Sequence, residues 1–233
     1  TKVDAAETDR ERAYTVNTKA AGLLADGCKR SNTILVHVST DYVFDGRKQT
    51  LYDESDAVSP LNVYGTTKAQ GESLVRKKLS RHLIVRTSWL YSAHRQNFVK
   101  TMMGLAGKND VLRVVADQYG SPTSATDLAE AILSMAVQVC TSARPPWGTY
   151  HYCCRGVASW HDFAAEIIRL MPAPPDGRSV RTEPIPTSAY PTAATRPQHS
   201  GLNCHLFETT FMRHPPAWAD ALKPVVKQLL RTA

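Results

Sequence analysis

The sequence has no apolar run approaching the ~18 residues that a membrane-spanning helix needs, and its first residues carry no signal-peptide pattern. It has no internal repeat and no low-complexity tract, which excludes solenoids and propellers. No Gly-x-Ser-x-Gly elbow surrounds a serine, so Ser39 and Ser88 are not expected to be hydrolase nucleophiles. Cysteine is sparse and no pair is spaced C-x-x-C. The five residues Cys28, Cys140, Cys153, Cys154 and Cys204 are odd in number in a chain that is not small. That usage points to a reduced, cytoplasmic protein, with Cys153 and Cys154 in the core. His151 near Cys153 and Cys204 beside His205 are the nearest approach to metal ligands. Adjacent residues on a strand face opposite ways, so no metal site is expected from them.

Acidic residues are outnumbered, and the formal net charge is +7. The basic residues are dispersed, the densest group being Arg76, Lys77, Lys78 and Arg81, and no basic run is interleaved with aromatics. A solvated basic surface or an anionic small substrate fits this charge better than a nucleic-acid groove.

What the sequence does have is alternation of helical and strand-like periods. Residues 4 to 30 read as a helix, with Asp4 as cap and Glu7 as its capping-box partner. Thr33 to Val38 reads as a buried strand that runs into Ser39, Thr40, Asp41 and Tyr42. Asp45-Gly46 and Ser59-Pro60 mark a loop, and Tyr64 to Leu79 reads as a helix. Leu83 to Arg86 is the next strand, leading to Ser88 and Trp89. Helices are expected over Phe98 to Ala106, from Thr126 or Asp127 to Val139, after a Ser159 cap, and over Ala217 to Leu230. Strands are expected over Val111 to Val115 and Thr149 to Cys153, and the proline-rich stretch 172 to 197 reads as loop. The alternation predicts an α/β protein with a doubly wound parallel sheet, which binds ligands at the carboxyl ends of its strands. Ser39-Thr40-Asp41 and Ser88-Trp89 sit at such ends.

Tyr64 and Lys68, four apart on one helix face, add chemistry. A phenol with its ordinary pKa near 10 exchanges protons poorly at neutral pH, and a nearby ammonium favours the phenolate. Tyr64 could then protonate a carbonyl oxygen that the Thr40 hydroxyl also touches, while a hydride arrives from a cofactor. The bland alternative is a packed ring beside a solvated lysine. His37, inside an apolar strand, reads as a satisfied buried histidine rather than a base. Trp89 is either core packing or the wall of a pocket for a sugar or base.

STDYVFDG, SPLNVYGTTKAQGE, RTSWLY, NFVKTM, DQYGSPT with DLA, and RPQHSGLN, in that order, closely resemble the dTDP-4-dehydrorhamnose reductases, RmlD-like members of the extended short-chain dehydrogenase/reductases. The opening TKVDAAE resembles that family too, so the likeness spans essentially the whole chain. It implies a Rossmann-type fold with a small mixed substrate-binding domain, and an oxidoreductase that uses NADPH or NADH. The reaction implied is reduction of the C4 keto group of dTDP-4-dehydro-L-rhamnose to dTDP-L-rhamnose. By the resemblance, Tyr64, Lys68 and Thr40 are catalytic, and Tyr64, Lys68, Val38 and Thr1 lie against the cofactor. Thr40, Asp41 and Trp89 would touch the sugar nucleotide. Homodimers are implied, some with magnesium at the interface. The resemblance assigns 1–88 and 120–158 to a partial NAD(P)-binding domain, and 89–119 and 159–233 to the substrate region.

The family's Gly-x-x-Gly-x-x-Gly loop, which cradles the pyrophosphate at a helix N-terminus, is absent from these 233 residues. The expectation is that about two βα units (~60 residues) precede the likeness, and that these residues alone bind the cofactor poorly. A second reading is a non-catalytic subunit, similar to the regulatory subunit of methionine adenosyltransferase, or an inactive fragment. Intact Asp41 and Trp89 favour the enzyme. Tyr42 in place of a glutamate after Asp41 argues against a dehydratase.

Overall fold

The computed structural model describes residues 2–173 and 177–232. The stretch 4 to 30 is not one helix but three: α1 (Val3–Thr8), α2 (Arg10–Tyr14) and α3 (Ala20–Arg30). A π-turn over Thr15–Lys19 joins the last two. The first break falls at Asp9, whose side chain accepts from the Arg12 amide at 3.2 Å and so starts a new helix. The expected capping box does not form, because both carboxylates are engaged elsewhere. Asp4 takes Arg196 Nη2 at 2.7 Å and the Ala194 amide at 3.1 Å, and Glu7 takes the Val63 amide at 2.8 Å.

Strand β1 (Leu35–Thr40) runs two residues further than its apolar pattern, so Ser39 and Thr40 end the strand itself. Helix α4 (Val63–Lys78) starts at the Asn62 cap, whose side-chain oxygen accepts from the Gly65 amide at 2.8 Å. Arg76, Lys77 and Lys78 in its last turn complement the exposed carbonyls there. Strand β2 (His82–Thr87) is buried at every position.

Next come β3 (Leu90–Tyr91), α5 (Phe98–Ala106), β4 (Val111–Val115), β5 (Tyr119–Gly120) and β6 (Thr123–Ser124). Helix α6 (Ala125–Thr141) leads to β7 (Gly148–His151) and β8 (Ala158–Ser159). Helix α7 (Trp160–Leu170) has the Ser159 cap read from the sequence, as a full capping box with Asp162. Strand β9 (Arg181–Ile185) lies in the stretch expected to be loop; the ladder it forms with β4 overrides its low strand propensity. Helices α8 (His205–Phe211), which was not expected, and α9 (Trp218–Thr232) complete the chain.

The chain divides into two compact units: Thr1–Ser88, Glu130–Tyr152 and Thr192–His214, and Trp89–Ala129, Cys153–Pro191 and Pro215–Ala233. Residues 120–129 and 153–158 fall to the second unit and 192–214 to the first. The last assignment follows from backbone bonds between Tyr52 and both Gly201 and Asn203, at 2.9 and 2.8 Å.

The first unit holds the parallel sheet β1-β2-β7, with Leu35 opposite His82 and Leu83 opposite Gly148. Helices α3 and α4 bury Ala21, Ala25, Val75 and Leu79 against Ile84 of β2. In the second unit β3 pairs with β6 and β4 with β9, both parallel, and β5 with β8 antiparallel. Its core gathers Tyr91, Met102, Leu112, Phe163, Ile167 and Leu222.

Candidate active site

At the end of β1 the backbone turns through one 3₁₀ turn, Asp41–Val43, capped by Thr40. The Thr40 hydroxyl donates to Asp41 Oδ1 at 3.0 Å and accepts from the Tyr42 amide at 3.2 Å. Both side chains are buried. Burial raises the Asp41 carboxyl to a pKa of about 6, against the lowering effect of hydrogen bonds from Ser200 and Thr40.

A remote stretch, residues 194–200, holds this turn. Ser200 bonds Asp41, and Arg196 bonds both Asp4 and the Tyr42 hydroxyl. The His199 amide donates to the Gly46 carbonyl at 3.1 Å, and Asn62 Nδ2 donates to the Thr195 carbonyl at 2.8 Å. Within RPQHSGLN no local pattern marks Arg196 and Ser200 for this work.

Helix α4 brings Tyr64 next to that turn. Its ring lies edge-on to Tyr42, with centroids 6.0 Å apart and planes at 75°. The approach depends on Gly65, where a Cβ would stand 2.1 Å from the Tyr42 carbonyl oxygen. One turn on, Lys68 Nζ donates to the Val38 carbonyl oxygen at 2.6 Å. Burial lowers the pKa of this ammonium, and the Glu72 carboxylate raises it. Glu72 is fully buried and takes Arg86 of β2 in two bonds, Nε at 3.0 Å and Nη2 at 2.8 Å.

Tyr64 and Lys68 line one cavity of about 530 Å³, with Asn17, Lys2, Arg12 and Asp9. Asn17 sits in the π-turn, and its Nδ2 donates to Thr67 of α4 at 3.0 Å. Close packing there relies on Gly71, where a Cβ would fall 2.2 Å from the Asn17 carbonyl oxygen. Asn17 was missed because a π-turn has no sequence pattern of its own. Thr40 and Asp41 are not among the cavity's lining residues.

The structure thus gathers Val38, Thr40, Asp41, Tyr64 and Lys68 in the first unit. Trp89 belongs to the second unit, where its ring stacks on Trp160 at 3.5 Å and 4°; its φ of 46° is in the left-handed region. Thr1 lies outside the described residues. His37 is not the satisfied histidine expected, since its Nε2 has no hydrogen-bond partner among the described residues. Burial, and then the Lys68 charge, lower its pKa to about 4, so it is neutral at physiological pH.

Among the described residues no group of three His, Cys, Asp or Glu side chains is placed to hold a metal ion. The nicotinamide dinucleotide fits better. Lys68, Tyr64 and Asn17 offer hydrogen-bonding groups suited to ribose hydroxyls, and Lys2, Arg12 and Lys68 outweigh Asp9 in charge, as an anionic ligand requires. No helix among the described residues is long and apolar enough to cross a membrane.

Residues 1–231 match the family model described as the RmlD substrate binding domain. A dTDP-4-dehydrorhamnose reductase from Sinorhizobium fredii is 40% identical over 231 residues, 99% of this chain and 78% of that one. The enzyme of the same name from Salmonella typhimurium is 38% identical, over 100% of this chain and 78% of that one. Among solved structures, the reductase from Clostridium acetobutylicum superposes with a TM-score of 0.91 at 38% identity, over 99% of this chain and 78% of that one. The reductase from Bacillus anthracis in complex with NADP gives a TM-score of 0.89 at 35% identity, over 98% of this chain and 77% of that one. The chain belongs to the RmlD substrate binding domain family.

Proposed function

We propose that this protein reduces the C4 keto group of dTDP-4-dehydro-L-rhamnose to the alcohol of dTDP-L-rhamnose with NADPH or NADH. The observation that carries the reading is Tyr64 and Lys68 lining one open cavity beside the β1 end, in a chain 40% identical to a reductase of that name. Bound NAD(P)H supplies a hydride to C4. The chain's own residues supply the proton and the environment. Tyr64 gives its hydroxyl proton to the C4 oxygen as the carbonyl becomes an alcohol, and is left as phenolate. Lys68 reduces the cost of that phenolate by its positive charge, and its bond to the Val38 carbonyl fixes where that charge stands. The same ammonium is suited to the cofactor's ribose hydroxyls. Thr40 meets the C4 oxygen from the strand end. Solvent entering the cavity returns the proton to Tyr64.

Trp89 is assigned to the sugar nucleotide on the resemblance. Its stack on Trp160 fixes the ring plane, and its strained φ supports a site role, since such strain concentrates at ligand sites. A homodimer is part of the reading, supported by exposed Val16, Leu23 and Leu24 on the first unit's helices. Cytoplasmic placement is supported by five free cysteines. The reading is tested by incubating the protein with dTDP-4-dehydro-L-rhamnose and NADPH and analysing the nucleotide sugar by NMR. Formation of dTDP-L-rhamnose is the expected outcome. Cofactor oxidation without it, or an unchanged keto sugar, would overturn the reading.

A further inference from the structure

Trp89 stands in a conformation that an unconstrained tryptophan does not choose. Its φ of 46° is in the left-handed region, which bulky side chains avoid, and its indole is only partly buried. The ring also lies flat on Trp160, with centroids 3.5 Å apart and planes at 4°. Aromatic pairs left to themselves prefer an offset or edge-on arrangement to such full overlap. Features of this kind persist only where the surrounding groups over-determine them.

The surrounding groups come chiefly from one strand pair. Strands β5 and β8 run antiparallel, with Gly120 opposite Ala158 and Tyr119 opposite Ser159. Gly120 stands against the Nε1 side of the Trp89 indole. A Cβ there would lie 2.4 Å from Cε2 and 2.5 Å from Nε1, so any larger residue would displace the ring. Just past β8, Trp160 opens α7, where the capping box of Ser159 and Asp162 fixes the first turn. Phe98 of α5 packs against Trp160, with centroids 4.6 Å apart and planes at 47°. The Thr123 amide donates to the Trp89 carbonyl at 3.2 Å and pins the backbone to the start of β6. A packing role alone would be served by a buried ring on relaxed backbone.

We propose that Trp160 and Gly120 are positioning residues, which hold the Trp89 indole in one pose as a ready wall for the sugar nucleotide. The inference rests on the assignment of Trp89 to that ligand made above. Trp160 closes one face of the indole and Gly120 its Nε1 side, so the ligand meets only the surface these two leave free. A ring set beforehand spares the entropy of ordering it on binding. Losing the support therefore weakens binding of the sugar nucleotide. The hydride and proton steps, which other residues serve, keep their rate.

Calorimetric binding of dTDP-L-rhamnose tests this in four proteins: the parent, Trp160→Leu, Trp89→Ala and the double variant, with folding checked by circular dichroism. Trp160→Leu is expected to weaken binding by about 3- to 10-fold, the worth of one aromatic pair. In the Trp89→Ala background the same change should add less than about twofold, because the ring it supports is gone. Trp160→Phe keeps a ring to stack on and should regain most of the loss. In turnover, Trp160→Leu should raise the KM for dTDP-4-dehydro-L-rhamnose and leave kcat and the KM for NADPH unchanged. Should Trp160→Leu not fold, Gly120→Ala replaces it. The same loss is then expected in the parent and none in Trp89→Ala, where the added methyl has room. Parent-like binding by the folded variant, or a loss that adds in full to that of Trp89→Ala, would overturn the inference. So would a parent protein that does not bind dTDP-L-rhamnose. The expected binding pattern without turnover would remove the reductase reading and leave the positioning role standing.

Discussion

Lys68 Nζ and the Val38 carbonyl oxygen stand 2.6 Å apart, a charge-assisted bond that ties the middle of α4 to the open end of β1. The bond fixes the ammonium one turn from Tyr64, and burial lowers the pKa of Lys68 below that of an ordinary lysine. Lys68→Met removes the charge and is expected to lower turnover by about 100-fold or more, the usual worth of proton-transfer assistance. Lys68→Arg keeps a charge that does not titrate, so the alkaline fall in turnover should move to higher pH. Steady-state pH profiles of the three proteins check this. An alkaline limb that stays in place in the arginine variant would remove Lys68 from that role.

Under the same helix lies the buried pair of Glu72 and Arg86. Arg86→Met leaves the buried Glu72 carboxylate to the exposed Arg76, whose Nη1 stands 3.1 Å from Oε2, and should destabilise the protein by about 3 kcal/mol in urea unfolding. The pKa of Glu72 is lowered in the folded state by Arg86, against the raising effect of burial. A depressed carboxylate contributes stability above its unfolded pKa, and that contribution is lost as pH falls through the folded value. Glu72→Gln should therefore lose stability at pH 7 and show a flatter decline below pH ~4.5. A variant curve parallel to the parent's would contradict the pairing.

His151 lies on the other side of Arg86, fully buried, and burial lowers its pKa to about 4. The folded state favours its neutral ring. Because unfolding raises its proton affinity, stability is complete above about pH 6.5 and falls as pH drops toward 4. The share due to this one residue is about 3 kcal/mol. In His151→Gln, urea midpoints measured from pH 7 to 4 should fall less steeply than in the parent.

Gly65 tests the close approach of α4 to the strand-end turn. A methyl placed 2.1 Å from the Tyr42 carbonyl oxygen must push the two apart. Gly65→Ala should destabilise by about 1–3 kcal/mol and reduce turnover by more than the loss of folded protein explains. Activity per folded molecule equal to the parent's would separate this contact from the site.

The parts of the fold that depend on local period were legible in the sequence. β1, α4 and β2 follow from a β-branched run, an amphipathic stretch and a continuous apolar run, and the Ser159 capping box was visible as a pattern. Where distant partners decide, the sequence was silent. Asp4 and Glu7 look like a cap, yet Arg196 and Val63 compete for them across the fold. β9 reads as loop because its register with β4 is a long-range matter. In the candidate site, the placement of Tyr64 and Lys68 on one helix and of Thr40 at a strand end was readable from local period. Arg196, Ser200 and Asn17 were not, since each acts through contacts with residues at least 50 positions away.

The central claim is that Tyr64 supplies the proton to the C4 oxygen. It is tested most directly by the rate of NADPH oxidation in the presence of dTDP-4-dehydro-L-rhamnose, measured for the parent and for Tyr64→Phe with folding checked by circular dichroism. The account predicts an intact fold and a rate lowered by about 100-fold to 10,000-fold. A Tyr64→Phe protein that turns over within about threefold of the parent would contradict it, because a phenyl ring has no proton to give.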